Sequence, residues 1–360
     1  MLPFLDGIFG NPSSAHHAGR RARAFLDDAR ERVAKAWRCK AGEVVFSSGG
    51  TESNNLAILG AARSLRNKGR HLIASSMEHP SVLRCLEYLE KNENFNVTYL
   101  PASPDGLVFS ENLRKTIRPD TILVSIMSAN NETGAIQPVA ELGEICRSRG
   151  VLFHTDAVQS FGKEYFTDIN QFHADLVSFC AHKLHGPKGA GALFIKSPLR
   201  LDPIIIGGSH ENERRAGTEN LPAIIGLAHV IENFLIPPIF PVERLNSLTS
   251  HLIHFIQTVE NVQFRGSMTH RLSNTVAFTV NGCDSATLLA GLDLEGICAS
   301  GGSACSSGAL KPSHVLLSMG VEKKLASSLV RFSLGLNSTM EEVLTVEEAL
   351  KKVINQARDR

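Results

Sequence analysis

Val151-Leu152-Phe153-His154-Thr155-Asp156-Ala157-Val158-Gln159-Ser160 is the stretch from which the fold can be read: an apolar run that ends on an acid, with an amide three residues further on. Beside it, Leu176 to Cys180 and Ala192 to Ile195 read as two more strands, and Thr121 to Met127, followed by a helix near Pro138 to Arg149, as the strand before. Upstream the same alternation holds, with strands Val44 to Ser48, His71 to Ala74 and Val97 to Leu100 and helices opening at Thr51 and Pro80. Seven short apolar strands separated by helices predict an α/β fold whose mainly parallel sheet is covered on both faces. A surface helix from Arg20 to Trp37 precedes them, with Phe25, Ala29, Val33 and Trp37 on one face at helical spacing.

Ile236-Pro237-Pro238-Ile239-Phe240-Pro241 cannot continue a helix and reads as a linker. The predicted boundary falls there, with residues 1–236 as the large sheet domain and 237–360 as a smaller α+β domain. That second part carries a long helix from Val242 to Val259, strands near Val262 and from Asn274 to Thr279, a helix from Ser285 and a closing helix from Thr339.

At 360 residues, 43% apolar and 20% charged, the composition is that of an ordinary globular protein. Lys plus Arg (37) balances Asp plus Glu (36), and a net charge of +1 provides no field for holding nucleic acid or an anionic membrane surface. No apolar run approaches the roughly 20 residues of a spanning helix, and the first residues resemble no export signal, so the expected location is cytoplasmic. The seven cysteines are scattered without CxxC pairs, which argues against a disulfide framework or a zinc ribbon. Cys85 and Cys298 stand in apolar contexts and are expected to pack in cores.

In open α/β sheets a ligand sits beyond the carboxyl ends of the strands, so the residues just after each apolar run carry the information. Ser48-Gly49-Gly50-Thr51-Glu52-Ser53 opens a helix there, where unpaired N–H groups and the helix dipole favour a phosphate; a plain capped turn is the competing reading. Asp156 could hold a protonated pyridine nitrogen, the partner that makes pyridoxal phosphate (PLP) an electron sink, or simply cap the next turn. Ala181-His182-Lys183-Leu184-His185-Gly186-Pro187-Lys188-Gly189 is basic and glycine-rich. Lys183 is its Schiff-base candidate, since a lysine held in a closed site among cations can lose its proton near neutral pH. Lys188 is the rival, although Pro187 and Gly189 favour a turn role for it. A metal reading of His182 and His185 lacks a nearby acid, so no metal is expected. Cys305 lies in Ser300-Gly301-Gly302-Ser303-Ala304-Cys305-Ser306-Ser307-Gly308, which neither forms a good helix nor buries much apolar area; a mobile, exposed thiol there is expected to be a nucleophile or carrier.

Taken in order, Gly10 to His16, Gly49 to Asn55, Glu78-His79, Asn130-Asn131-Glu132-Thr133-Gly134, Asp156 to Ser160, His182-Lys183, Arg215 to Asn220, Ser303-Ala304-Cys305 and Arg331 to Gly335 resemble the cysteine desulfurases of the NifS/IscS-like group, fold-type I PLP enzymes of the class V aminotransferase superfamily. The resemblance implies conversion of L-cysteine to L-alanine, with the sulfur kept on Cys305 as a persulfide. It implies that Lys183 carries PLP as a Schiff base, Asp156 pairs with the pyridine nitrogen, Gln159 bonds the ring hydroxyl and His79 stacks on the ring and moves protons. Gly50, Thr51 and His182 would hold the phosphate, and Thr218 would reach it from the other subunit of a homodimer. Asn131 and Arg331 would hold the substrate carboxylate, a bidentate task that suits a guanidinium. The implied sulfur acceptors are an iron–sulfur scaffold protein or a tRNA-thiolation relay.

Two features depart from that pattern. The family normally opens with an Asp-Asn-Ala-Thr-Thr-like strand and turn, whereas Met1 stands after it; an internal start or a shortened protein with weaker closure both fit. Cys180 replaces a serine that contacts the phosphate, and a thiol donates more weakly, so lower PLP affinity is expected. A selenocysteine lyase or an aminotransferase is the runner-up within this chemistry, and a non-catalytic relative that binds a scaffold or regulator is the rival outside it.

Overall fold

The computed structural model describes residues 1–302 and 311–358. Helices α1 (Pro3–Asp6) and α2 (His17–Trp37) lead into β1 (Val44–Ser47), α3 (Gly50–Leu65), β2 (His71–Ser75), α4 (Pro80–Glu93) and β3 (Asn96–Leu100). Next come α5 (Ser110–Thr116), β4 (Thr121–Ser125), α6 (Val139–Ser148), β5 (Leu152–Asp156), β6 (Leu176–Cys180) and β7 (Gly191–Ile195). After these follow α7 (His210–Glu213), α8 (Leu221–Phe234), α9 (Val242–Thr258), β8 (Val262–Arg265), β9 (Thr275–Val280) and α10 (Ser285–Leu294). The chain closes with α11 (His314–Ser318), α12 (Lys323–Ala326), β10 (Val330–Ser333) and α13 (Met340–Arg358).

The first seven strands form one sheet in the order β1-β7-β6-β5-β4-β2-β3. Its pairs are parallel from β3 across to β6, and β7 alone runs antiparallel to its neighbours β6 and β1. The seven expected strands are the seven observed. One boundary differs for a visible reason: β4 stops at Ser125, not Met127, because the Met127 N–H is taken at 2.9 Å by the Glu78 carboxylate.

Apolar residues of α2, α6 and α8 cover one face of the sheet, and those of α3 and α4 cover the other. Each buried aliphatic or aromatic side chain contributes roughly 1.5–3 kcal/mol. On α2 the buried stripe is Ala22, Leu26, Ala29, Val33 and Trp37, while Phe25, expected on that stripe, is only partly buried at its margin. Trp37 meets the Phe161 ring at 5.9 Å, and Phe161 meets Phe179 at 5.0 Å, which fixes the turn after Asp156 against β6. A second sheet, β10-β9-β8, is backed by α9, α10 and α13 around its own core. The proline-rich segment before α9 is packed down, with Phe240 buried and its N–H donating to the Gly162 carbonyl at 3.1 Å.

Cys85 is buried, and its thiol donates to the Ser81 carbonyl at 3.1 Å. Cys298 corrects the expectation: it is exposed, because Ile297 turns inward to the core and leaves its neighbour facing water. Among the described residues no helix is long and apolar enough to cross a membrane.

Candidate active site

Asp156 ends β5 at the carboxyl edge of the sheet, and its side chain is buried there. Oδ1 accepts from the Val158 N–H at 3.0 Å and Oδ2 from Asn54 Nδ2 at 2.7 Å. Neither donor is a cation. Burial pushes the Asp156 carboxyl up, against the opposing pull of Asn54, the Val158 N–H and His79. A carboxyl so placed lacks a countercharge that a protonated ring nitrogen would supply.

From Asp156 a polar chain runs to His79. Asn54 Nδ2 also donates to Ser81 Oγ at 2.8 Å, leaving that hydroxyl its own proton for His79 Nδ1 at 2.7 Å. The Ser81 N–H donates to the same Nδ1 at 3.1 Å, so Nδ1 is an acceptor and the neutral imidazole carries its proton on Nε2. Burial lowers the His79 pKa, and His314 and Lys183 reinforce this while Asp156 opposes it.

The phosphate-type feature is the start of α3. A helix leaves its first N–H groups without intrahelical partners. Gly50 is required there by close approach, since a Cβ would lie 2.8 Å from Val158 Cγ2. Glu52 is turned away from ligand duty, because it accepts from the Ser48 N–H at 2.9 Å and from Arg215 Nε at 2.7 Å.

Lys183 lies in the single 3₁₀ turn Ala181–Leu184 that follows β6. It is exposed, so the closed surroundings expected for it are not supplied by the described residues. Cys180, one residue before that turn, is fully buried, and burial pushes its thiol up to about 11, which keeps it as S–H at neutral pH.

Arg331 enters from β10. Its Nη1 donates to the Asn131 carbonyl, and its buried Nε has no partner among the described residues. Burial pulls its pKa below the ordinary guanidinium value, with Glu132 opposing. Its backbone exchanges two hydrogen bonds with Ser300, at 3.0 and 2.6 Å. The neighbouring Asn130 is structural, accepting from the N–H groups of Glu132 at 2.9 Å and Thr133 at 3.0 Å.

One cavity of about 530 Å³ collects these groups, and its lining includes Gly50, Thr51, His79, Asn131, Asp156, Gln159, Cys180, His182, Lys183 and Arg331. The size suits a small molecule or cofactor. Lys188 lines it as well, whereas Thr218 is exposed and lies apart from it. Cys305 lies outside the described residues. Sequence reasoning missed Asn54 and Ser81, which line the same cavity. Asn54 carried a signal, since four residues beyond Gly50 is one helical turn and faces the same end of α3.

The donor set fits PLP: a helix start for the phosphate, a buried and cation-free carboxyl for the ring nitrogen, and a lysine opening onto the same cavity. Fold and site together define a fold-type I PLP enzyme. The family profile "Aminotransferase class-V" matches residues 1–346, and the chain belongs to that family, among its cysteine desulfurases. It is 44% identical over 359 residues to the cysteine desulfurase IscS of Dictyoglomus turgidum, covering 99% of this chain and 91% of that one. Among solved structures, a NifS-like protein superposes with a TM-score of 0.89 at 34% identity, covering 99% of this chain and 93% of that one. SspA in complex with cysteine superposes with a TM-score of 0.79 at 34% identity, covering 94% of each chain.

Proposed function

We propose that the chain is a cysteine desulfurase that removes sulfur from L-cysteine, releases L-alanine and carries the sulfur on Cys305 as a persulfide for iron–sulfur cluster assembly. The observation that carries this reading is the buried, cation-free Asp156 carboxyl facing the cavity that Lys183 enters. When bound, PLP supplies an electron sink that acidifies the α-proton of an amino acid and loosens its bond to sulfur.

Around that group each residue has a task it is equipped to do. Asp156 holds a proton at the ring nitrogen, Gly50, Thr51 and His182 bind the phosphate, and Lys183 tethers the cofactor through Nζ. Arg331, whose Nε is unpaired among the described residues, and Asn131 would bind the substrate carboxylate. His79 would lie against the ring and, with its proton on Nε2, could deliver a proton to the substrate. Cys305 is assigned the transfer: its thiolate would bond to the substrate sulfur as the β-carbon–sulfur bond breaks with its electron pair going to the β-carbon, and a proton added at the β-carbon together with one restored to the α-carbon would complete alanine. In this division residues 1–236 bind the cofactor, and 237–360 supply Arg331 and Cys305. The working unit is a cytoplasmic homodimer in which Thr218 of one subunit completes the phosphate site of the other. A tRNA-thiolation relay is a second acceptor of the same sulfur.

Purified protein is expected to be yellow and to release sulfide and alanine from cysteine in the presence of a thiol reductant. Cys305→Ala should abolish sulfide release and keep the colour. Lys183→Ala should lose the cofactor that borohydride otherwise fixes to the chain, and retention of that covalent label would refute the assignment.

A further inference from the structure

Among the described residues the buried lysine is Lys163, 5% exposed, and no part of the mechanism uses it. It belongs to the turn after Asp156 that also carries Gln159. The Lys163 N–H donates to the Ser160 carbonyl at 3.1 Å, and Ser160 Oγ lies 2.7 Å from Ser128 Oγ, so the turn is tied to the end of the sheet. Gly162 adds a further restraint, because a Cβ on it would lie 1.8 Å from Leu184 Cδ2.

Lys163 Nζ donates to Gln159 Oε1 at 2.6 Å and lies 5.8 Å from the centre of the Phe240 ring. The other groups facing it are the cations Lys183 and Arg331 and the Cys180 thiol. Burial, and then Lys183 and Arg331, push its pKa down to about 7.

An ammonium has three donors and no acceptor. The Gln159 carboxamide turns its oxygen to Lys163, as the 2.6 Å contact shows, and while Lys163 holds its proton, below about pH 7, this leaves the amide NH₂ for the cavity that Gln159 lines. Without Lys163 either end of the amide can face inward.

We propose that Lys163 is a positioning residue that locks the Gln159 amide with its NH₂ toward the cavity, so that Gln159 meets the cofactor's ring hydroxyl only as a donor and holds that oxygen as its anion. The inference rests on the proposed placement of the PLP ring beside Gln159. Lys163 acts through the amide and touches no reacting atom.

The test is a pH titration of the visible absorption of the holoprotein without substrate. A donor on the ring oxygen and a cation behind it both disfavour protonation of the Lys183-linked chromophore. Lys163→Met should therefore raise the titration midpoint by about one pH unit. Lys163→Gln, whose amide donates or accepts, should shift it the same way, and Lys163→Arg, which can only donate, should titrate as wild type. In a Gln159→Ala background Lys163→Met should add less than about a third of its shift, since the route through the amide is gone. A wild-type midpoint in both loss variants, an arginine variant that shifts as far as methionine, or an undiminished shift in the Gln159→Ala background each overturns the proposal. A wild-type holoprotein without a visible band would instead sink the cofactor reading.

Discussion

His154, in the middle of β5, has its ring nitrogens 2.8 Å from Ser125 Oγ and 2.9 Å from Ser178 Oγ, and burial pushes its pKa down to about 3. The folded chain thus holds the neutral ring, whereas the unfolded chain takes up a proton as pH falls below about 6.5. The penalty from this residue is absent above that pH and grows as pH falls toward the folded value, so folding stability declines on acidification. Between pH 7 and pH 5 its share of the decline is about 2 kcal/mol. Denaturant midpoints at the two pH values should show that share missing in His154→Asn, even if the variant is less stable at pH 7. Position along the strand marked Asp156 as a candidate but left open a plain turn cap, and the side chain does take the Val158 N–H as such a cap would while its other oxygen faces Asn54. His154 and Lys163 were opaque: a polar residue inside an apolar run, or in a turn, does not reveal what buries it.

At the scale of elements, the start of α3 and the turn after β5 close on each other through Gly50 and Val158. Gly50→Ala should force Val158 aside at a cost of about 1–3 kcal/mol, seen as roughly tenfold or greater loss of PLP affinity. Val158→Ala in the same chain should restore binding, as measured by fluorescence titration with the cofactor. Failure of that rescue would show that the contact does not set the shape of the cradle. The sheet was legible because its seven strands are short, apolar and regularly spaced. Its details were not, since the end of β4 is set by Glu78, 49 residues distant in sequence, and the proline-rich segment packs through Phe240 onto Gly162. Such contacts are long-range and leave no periodic trace.

At the scale of the whole molecule, Ile206 is 89% exposed, and the proposed homodimer would offer it a surface to pack against. Sedimentation equilibrium should give twice the chain mass. Thr218→Ala should weaken PLP binding less than Gly50→Ala does, because it removes one hydroxyl and leaves the cradle intact. A monomer that binds the cofactor as tightly as the wild-type dimer would rule out a shared phosphate site.

The two backbone bonds between Ser300 and Arg331 set a tether. On the proposed reading the sulfur rides on Cys305, five residues further along the sequence from that anchorage, and a chain spans at most about 3.6 Å per residue. Cargo on so short a leash would not reach a distant client. On that reading the recipient of the sulfur would have to berth close to the Ser300–Arg331 anchorage, which would make the contour of the berth, more than the chemistry of the thiol, the place where one recipient is told from another.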